Sequence, residues 1–277
     1  MYTTNENYNY NIIDIHTHIF PDKVASKAVK AIGDYYGIQM CRPGTVDDLI
    51  QSGSSIGVSK LIVHSSATTV HQIRPINEYI YSIQAAHAEL IGFATLHPDM
   101  SDVAGEVDNI IVHGLRGIKL HPEFQGFAID DDSMMPIYKE IEGRLPVLIH
   151  MGDEKSDLSS PLRLARVLDR FPDLLVIAAH FGGYQMWDLS CDYLIGKRLY
   201  MDTSSSLAFL SPSKAVDMIR RHGVDKMLFG SDYPMWDHYE ELERFLRLEL
   251  TQDERRAILH DNAQRLLSGN VTKASDI

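Results

Sequence analysis

The feature that most constrains the fold is the regular recurrence of short apolar runs with strand character. Eight such runs occur along the 277 residues, and from the second onward they begin 24 to 31 residues apart, which leaves room for one helix between consecutive strands. Several are almost continuous in Ile, Val and Leu, as is typical of parallel strands covered on both faces. We predict strands at Ile12–His16, Leu61–His64, Ile91–Leu96, Leu115–Leu120, Pro146–His150, Leu174–His180, Leu199–Thr203 and Met227–Gly230.

Local signals place helices between these runs. Ser211 before Pro212 predicts a serine N-cap followed by proline at the first helical position. Thr251 followed by Glu254 predicts a capping box at the start of the C-terminal helix. Eight strand–helix alternations predict an α/β fold, either a (β/α)8 TIM barrel or a doubly wound open sheet. No repeat or linker divides the sequence, so we expect residues 1–277 to form a single domain.

The longest connection, residues 21–60, follows the first strand and contains predicted helices at Val24–Tyr35 and Val46–Ser52. It begins at the carboxyl end of that strand, and barrel enzymes keep their active sites at this end of the barrel. We therefore expect residues 21–60 to be an insertion, part of which covers the pocket as a lid. The tyrosine pair Tyr35-Tyr36 is expected to face the substrate.

The composition limits the possible partners. The chain has 26 Lys and Arg residues against 38 Asp and Glu residues, a net charge of −12. Nucleic acids and anionic membranes are normally met by a basic face, so both are disfavoured as partners. Residues 1–11 show no signal-peptide pattern, no apolar run approaches a membrane span, and Cys41 and Cys191 lack the spacing of a disulfide framework. We expect a cytoplasmic protein that acts on a small molecule.

Histidines are concentrated where predicted strands end. His16 and His18 lie two residues apart on one strand, so their side chains point to the same face. Two imidazoles that converge on one point suit a divalent transition metal, with zinc the first choice. His150, His180 and Asp232 at other strand ends strengthen this interpretation. Seven of the 13 histidines occupy such positions, namely His16, His18, His64, His97, His121, His150 and His180.

The metal hypothesis also bears on the fold. If His16 on strand 1 and Asp232 after strand 8 bind one metal, the two strands must be neighbours. In an eight-stranded parallel sheet in barrel order, the first and last strands become neighbours only when the sheet closes. The metal hypothesis and the barrel hypothesis therefore support each other, and the mouth at the carboxyl ends of the strands is where barrel enzymes carry out their chemistry.

An ordered set of motifs from residue 12 to about 267 resembles the amidohydrolase superfamily. It is most similar to the amidohydrolase-related branch that includes aminocarboxymuconate-semialdehyde decarboxylase and related lactonases and hydrolases. The resemblance implies a metal-dependent (β/α)8 barrel in which His16, His18, His150 and Asp232 bind the metal and His180 lies near the metal-bound water. The motifs are HTHIFP (16–21), GIKLHPEFQG (117–126), HMGD (150–153), AHFGG (179–183), LFGSDYP (228–234) and NAQRLL (262–267).

The implied reaction uses a metal that lowers the pKa of its water from about 15.7 towards about 7. Asp232 would bind or orient that water and accept its proton, while His180 would hold it or donate a proton to the leaving group. We expect a hydrolase of a small amide, lactone or ester. The alternative is nonoxidative decarboxylation of a small unsaturated or aromatic acid, which uses nearly the same ligands.

Two further functions are weaker alternatives. Deoxyribonucleases of the related TatD type usually carry glutamate where this chain has Lys119, and the charge of −12 disfavours nucleic acid. A binding barrel that retains the metal without catalysis would be favoured if a ligand were missing, and none is. Family analogy alone suggests a homodimer.

Lys119 has three interpretations. An unmodified lysine would bind a substrate anion, a carbamylated lysine would bridge two metals, and a structural lysine would pair with a buried carboxylate. Carbamylation follows from the resemblance, because binuclear amidohydrolases such as dihydroorotase carry a carbamylated lysine in a similar KLxP setting. The resemblance to mononuclear relatives favours one metal.

Several other side chains are expected around the site. His121, Arg74 and Asp153 lie on loops at the catalytic face and are candidate substrate contacts. An arginine that holds a carboxylate would favour decarboxylation or lactone chemistry, and Arg74 and Arg163 are the candidates. Asp14 is expected to accept a hydrogen bond from a ligand histidine or from Lys119. His64 is expected at the rim or behind the ligands rather than on the metal.

Overall fold

The apolar runs form eight strands in the computed structural model, which describes residues 10–269, 271 and 273–277. All the strands are parallel, and consecutive strands pair with each other along the whole series. The strands are β1 (Ile12–His18), β2 (Val58–His64), β3 (Leu90–Thr95), β4 (Gly117–Leu120), β5 (Val147–Ile149), β6 (Val176–Ala178), β7 (Tyr200–Asp202) and β8 (Met227–Leu228).

Helices fill the connections. None of them, among the residues described, is long and apolar enough to cross a membrane. A π-helical segment, Ala257–Asp261, joins the last two without a break. The helices are α1 (Asp22–Tyr36), α2 (Val46–Ser54), α3 (Ile73–Ala86), α4 (Val103–Val112), α5 (Pro122–Gln125), α6 (Met135–Ile141), α7 (Pro161–Arg170), α8 (Trp187–Tyr193), α9 (Pro212–His222), α10 (His238–Leu246), α11 (Gln252–Arg256) and α12 (Asn262–Leu267).

Backbone hydrogen bonds close the sheet into a barrel. The Ile15 amide donates to the Phe229 carbonyl at 2.9 Å, and the His18 amide donates to the Tyr233 carbonyl at 2.7 Å. In the opposite direction, the Asp232 amide donates to the His16 carbonyl at 2.9 Å. These bonds join β1 to the chain that continues beyond β8. The predicted (β/α)8 barrel is confirmed, and the open doubly wound sheet is excluded.

The local capping signals are confirmed, whereas several strand boundaries are shifted, most of all the start of β2. The Ser211 hydroxyl accepts the Lys214 amide at the start of α9, and Thr251 and Glu254 form both bonds of the capping box. Strand β2 begins at Val58, inside the connection predicted for residues 21–60. The reason is that Val58 and Lys60 pair with β1 at the start of the strand, where exposed and partly exposed side chains alternate and the run is not apolar.

The alternation of side chains along the strands builds two apolar regions. One face of each strand packs against the helices, through residues such as Val63, Ile118 and Ile149. The alternate residues, such as Ile62 and Leu148, form a second cluster that fills the barrel interior. This packed interior supports the polar side chains that follow at the carboxyl ends of the strands.

Candidate metal centre

Three donor atoms from the two sides of the barrel seam meet at its mouth. His16 Nε2 and His18 Nε2, both on β1, are 3.3 Å apart. Asp232 Oδ1, after β8, lies 3.5 Å from His16 Nε2 and 3.3 Å from His18 Nε2. His16 is fully buried and Asp232 is 7% exposed. The structure brings these three predicted residues together.

The spacing of the three donors fits a metal. Nitrogen and oxygen donors lie about 2.0–2.2 Å from Zn²⁺, which places two donors of one tetrahedral site about 3.3 Å apart. The observed separations of 3.3 to 3.5 Å match that edge. Two imidazoles and a carboxylate are also a donor set that divalent transition metals prefer. The residues present therefore fit a divalent cation held at the mouth of the barrel.

The protonation states of these residues also suit a cation. Burial lowers the pKa of His16 and His18, and the Lys119 ammonium lowers both further. Burial alone would raise the pKa of Asp232, but His16, His18 and His180 hold it below its ordinary value. Neutral imidazoles and an ionised carboxylate are the forms that bind metals. The site is therefore ready to bind near neutral pH without losing protons.

Asp202 orients His16, and the sequence analysis missed it. Its Oδ2 lies 2.9 Å from His16 Nδ1, and both side chains are fully buried. A carboxylate on the far nitrogen of a ligand histidine fixes its tautomer and raises its basicity. The only sequence signal was the position of Asp202 at the carboxyl end of β7, two residues after the inward-facing Tyr200.

Asp14 does not have the expected partner. Its carboxylate accepts the backbone amides of His16 and Ser231, at 3.0 and 3.1 Å, and lies 3.2 Å from His238 Nε2. The expectation that it would accept from a ligand imidazole or from Lys119 is therefore wrong. Asp14 lies two residues deeper on β1, where it ties the strand to the segment after β8 and to α10.

His180 is held in an unusual backbone conformation beside the donors. Its φ of 60° lies in the left-handed region, as does the φ of 58° at Asp232. Such residues tend to occur at functional sites, where the surrounding structure maintains the strain. His180 Nδ1 is 2.9 Å from Ser204 Oγ and 3.1 Å from the Ser204 carbonyl, and its ring stacks on His16 at 5.1 Å. The imidazole is thus fixed next to the three donors.

His150 joins this group through His180. His150 Nδ1 lies 3.0 Å from His180 Nε2, while its Nε2 lies 3.0 Å from the Gly152 carbonyl and 3.3 Å from the Tyr36 hydroxyl. Its ring also stacks on that of His121 at 4.0 Å. The structure thus brings His150 to the same mouth of the barrel, where His180 lies between it and the three donors.

Two other buried groups near the donors lack partners. His64 is fully buried and its ring lies 4.4 Å from that of His18, yet neither of its nitrogens has a hydrogen-bond partner among the residues described. Glu123 Oε2 is likewise unpartnered, 3.8 Å from His121 Nδ1. Burial raises the pKa of Glu123 to about 7. His64, which was predicted at the rim or behind the ligands, is therefore a further candidate donor.

Lys119 lies directly behind the donors. Its side chain is fully buried, and its Nζ is 3.0 Å from His16 Nε2. Burial lowers the pKa of Lys119 to about 8, against the opposing effect of Asp232 and Asp202. The lysine is thus placed beneath the site rather than at its entrance.

A cavity of about 690 Å³ opens above the donors. His18, His121, His150, His180 and Asp232 line it. Tyr35 and Tyr36, the pair predicted to face the substrate, also line this cavity.

Two predicted contacts lie elsewhere. Asp153 accepts the Tyr35 hydroxyl at 3.0 Å instead of lining the cavity, and Arg74 is 80% exposed beside Glu106.

Comparison with known proteins decides the family. The sequence profile described as Amidohydrolase matches residues 13–269. The chain belongs to the amidohydrolase family. It is therefore a member of a family of metal-dependent enzymes, as the motifs indicated. No curated protein matches this amidohydrolase by sequence.

Solved structures share the fold over nearly the whole chain. An uncharacterised TIM-barrel protein from Bordetella bronchiseptica is 20% identical, with a TM-score of 0.74 over 94% of this chain and 99% of that one. A dihydroxybenzoic acid decarboxylase from Polaromonas sp. JS666, solved with manganese and an inhibitor, is 16% identical, with a TM-score of 0.73 over 94% and 97%. A probable 2-pyrone-4,6-dicarboxylic acid hydrolase from Acinetobacter baumannii is 18% identical, with a TM-score of 0.68 over 93% and 99%. These likenesses extend to the fold alone.

Proposed function

We propose that this amidohydrolase hydrolyses a small amide, lactone or ester with the help of one zinc ion. The observation that carries the proposal is the convergence of His16 Nε2, His18 Nε2 and Asp232 Oδ1 within 3.5 Å of one another at the base of a cavity. We assign the metal to His16, His18, His150 and Asp232. His64 is the alternative to His150 as the fourth donor.

The side chains around the donors supply the proton transfers. A divalent cation held by these donors would polarise a carbonyl oxygen and make water nucleophilic near neutral pH. The Ser205 hydroxyl donates to Asp232 Oδ2 and leaves Oδ1 to face the donors, so Asp232 is placed to accept a proton from water. Ser204 fixes Nδ1 of His180, and Nε2, which lies 3.0 Å from His150 Nδ1, is the nitrogen left to hold water or donate to the leaving group.

We also propose how the substrate is held. His121 lines the cavity, and Lys119 lies beneath the donors, where an unmodified ammonium would attract the oxygen of the reacting group. Asp153 contributes by accepting the hydroxyl of Tyr35, which lines the cavity. We assign Arg74 no contact with the substrate, because it lies away from the cavity.

Residues 21–60 are proposed to cover the site as a lid. Helix α1 lies in this segment and forms one wall of the cavity. Tyr35 at its end bonds to Asp153 after β5, and the Lys155 ammonium lies 4.7 Å from the centre of the Tyr35 ring. These contacts fasten the end of α1 to the far side of the mouth.

The second candidate function is nonoxidative decarboxylation of a small acid. It is supported by the similar fold of the manganese-bound dihydroxybenzoic acid decarboxylase. The two reactions differ in their products, because hydrolysis releases an acid with an alcohol or amine, whereas decarboxylation releases CO₂. Screening small esters, lactones, amides and aromatic acids with detection of both product classes separates them.

Metal content tests the proposal directly. Elemental analysis of the purified protein is expected to give about one equivalent of zinc per chain. His18→Ala should lose that metal, because it removes one of three converging donors. His113→Ala, at an exposed histidine after α4, should retain it. The same analysis of His64→Ala and His150→Ala identifies the fourth donor.

Two results would contradict the single-metal assignment. A metal-free protein that is nevertheless active would overturn it. Two equivalents of metal, together with additional mass on Lys119, would replace it with the carbamylated, two-metal site.

A further inference from the structure

The cavity above the donors carries almost no fixed charge. Among the described residues that line it, Asp232 is the one carboxylate, and there is no lysine or arginine. Lys119, the nearest buried ammonium, lies beneath the donors with its Nζ 3.0 Å from His16. Any positive charge that a substrate meets is therefore confined to the base of the cavity.

The arginines expected to hold a carboxylate are committed elsewhere. Arg163 pairs with Asp130 at 2.5 Å and with Asp157 at 2.9 Å. Arg74 is 80% exposed, and its Nε lies 3.7 Å from Glu106. Neither lines the cavity, so a carboxylate far from the metal donors would find no guanidinium there. An unpaired anion is disfavoured in such surroundings, and the net charge of −12 adds to the penalty.

Apolar side chains lie on both upper walls of the cavity, with the polar Thr68, His71 and Gln72 beside them just before α3. Val24, Ala28 and Ile32 lie four residues apart on α1, so they form one stripe, and all three face the cavity. Pro75 and Ile76 of α3 line it as well. Val24 is 44% exposed even though it is a large apolar residue. A ligand with an apolar body would remove this surface from water, which is the main source of affinity that these walls offer.

We infer that the substrate has a single polar reacting group and an uncharged, apolar body. The reacting group, a carbonyl flanked by its leaving group, lies at His16, His18 and Asp232, and the body lies between α1 and α3. This inference rests on the proposed function for the position of the reacting carbonyl. It excludes substrates that carry a carboxylate on that body.

A pair of unreactive ketones tests the inference without requiring turnover. Hexanophenone is neutral, and 4-benzoylbutyric acid carries a carboxylate in place of the terminal ethyl group of hexanophenone. Calorimetric titration of the metal-loaded protein with each is expected to show at least 30-fold tighter binding of hexanophenone. Equal or tighter binding of 4-benzoylbutyric acid, or binding of neither compound, would overturn the inference. If the wild type contains its metal but prefers the acid, the substrate inference fails and the proposed hydrolase function stands. If the purified wild type contains no metal, the proposed function itself is contradicted.

A charge introduced into the wall provides the complementary test. Ile32→Arg on α1 should weaken the binding of hexanophenone. It should tighten the binding of 4-benzoylbutyric acid at least 10-fold, because it supplies the missing guanidinium. Ser26→Arg adds the same charge to an exposed position of α1 outside the cavity lining and should leave both affinities within twofold. If Ile32→Arg does not fold, Ile76→Arg makes the same change on the opposite wall. An arginine in either wall that leaves the preference unchanged would contradict the inference.

Discussion

At the residue scale, His180 separates catalysis from metal binding. Its imidazole stacks on His16 and is held by Ser204, and we propose that it acts beside the metal donors rather than as one of them. His180→Asn is the suitable change, because asparagine tolerates the left-handed backbone at this position. We expect the variant to keep its metal while kcat for a hydrolysed ester or lactone falls by roughly 10²–10⁴, the usual effect of losing a positioned acid or base. One limb of the pH–rate profile should disappear.

Two results would contradict this role for His180. Loss of the metal from the His180→Asn variant, measured by elemental analysis, would make His180 a ligand. Unchanged turnover would remove it from the reaction. His113→Asn, at an exposed histidine, provides the control for a general effect of replacing an imidazole.

Single residues of the site also differ in how far the sequence could predict them. His16 and His18 were predictable because alternation along one strand is a local property. Asp202 was not, because it reaches His16 across the barrel from 186 residues away in the sequence. Alternation places both Asp14 and Asp202 near a ligand histidine, but a register irregularity in β1 between Asp14 and Thr17 breaks the alternation, and Asp14 meets His238 of α10 instead.

At the scale of single elements, the end of α1 is where the proposed lid is fastened. Tyr35→Phe removes the hydroxyl that donates to Asp153 and leaves the ring in place. A hydrogen bond to a charged partner contributes about 1.5–3 kcal/mol. We therefore expect faster amide exchange in α1 and a KM raised roughly 3- to 10-fold, with kcat and metal content unchanged. Tyr81→Phe on the exposed side of α3 is the matched control, and unchanged exchange in α1 would argue against the lid.

Helix α9 carries a histidine whose role depends on pH. The last residue of α9, His222, is buried and neutral. Burial lowers the pKa of His222 from 6.5 to about 4. Its Nε2 bonds to the Leu199 carbonyl at 2.9 Å, while its Nδ1 accepts the Gly196 amide at 3.2 Å. A second proton on this ring would have no acceptor at Nδ1.

His222 should therefore destabilise the fold in acid. A histidine whose pKa is lower in the folded state stabilises the fold above pH 6.5, and this contribution is lost as the pH falls towards 4. Each pKa unit corresponds to about 1.4 kcal/mol, so the loss is roughly 3 kcal/mol at most. We expect His222→Gln to show a weaker decrease in the free energy of unfolding between pH 6.5 and 4 than wild type, by urea denaturation. An identical slope in the two proteins would contradict this account, and His113→Gln is the control.

At the scale of the whole molecule, the order of the strands was predictable and the closure could only be inferred. Regular spacing of apolar runs predicts alternating strands and helices, but it is equally consistent with an open sheet. Closure follows instead from the proposed metal, because ligands on β1 and after β8 require these ends to meet. The bonds from Ile15 to Phe229 and from Asp232 to His16 show that they do. The start of β2 was not predictable, because Val58 and Lys60 pair with β1 without an apolar pattern.

Because the donors lie on both sides of this seam, metal binding should stabilise the entire barrel. His16 and His18 belong to β1 and Asp232 to the segment after β8, so one cation would link the first and last strands. A ligand that binds only the folded state adds about 4 kcal/mol when its free concentration is 1,000 times its Kd. For a domain of this size, that corresponds to a rise in Tm on the order of 10 °C. We expect chelation to lower the Tm of wild type by this amount, and to leave the Tm of His18→Ala unchanged. Equal melting of the metal-loaded and chelated wild type would show that the metal does not bridge the seam.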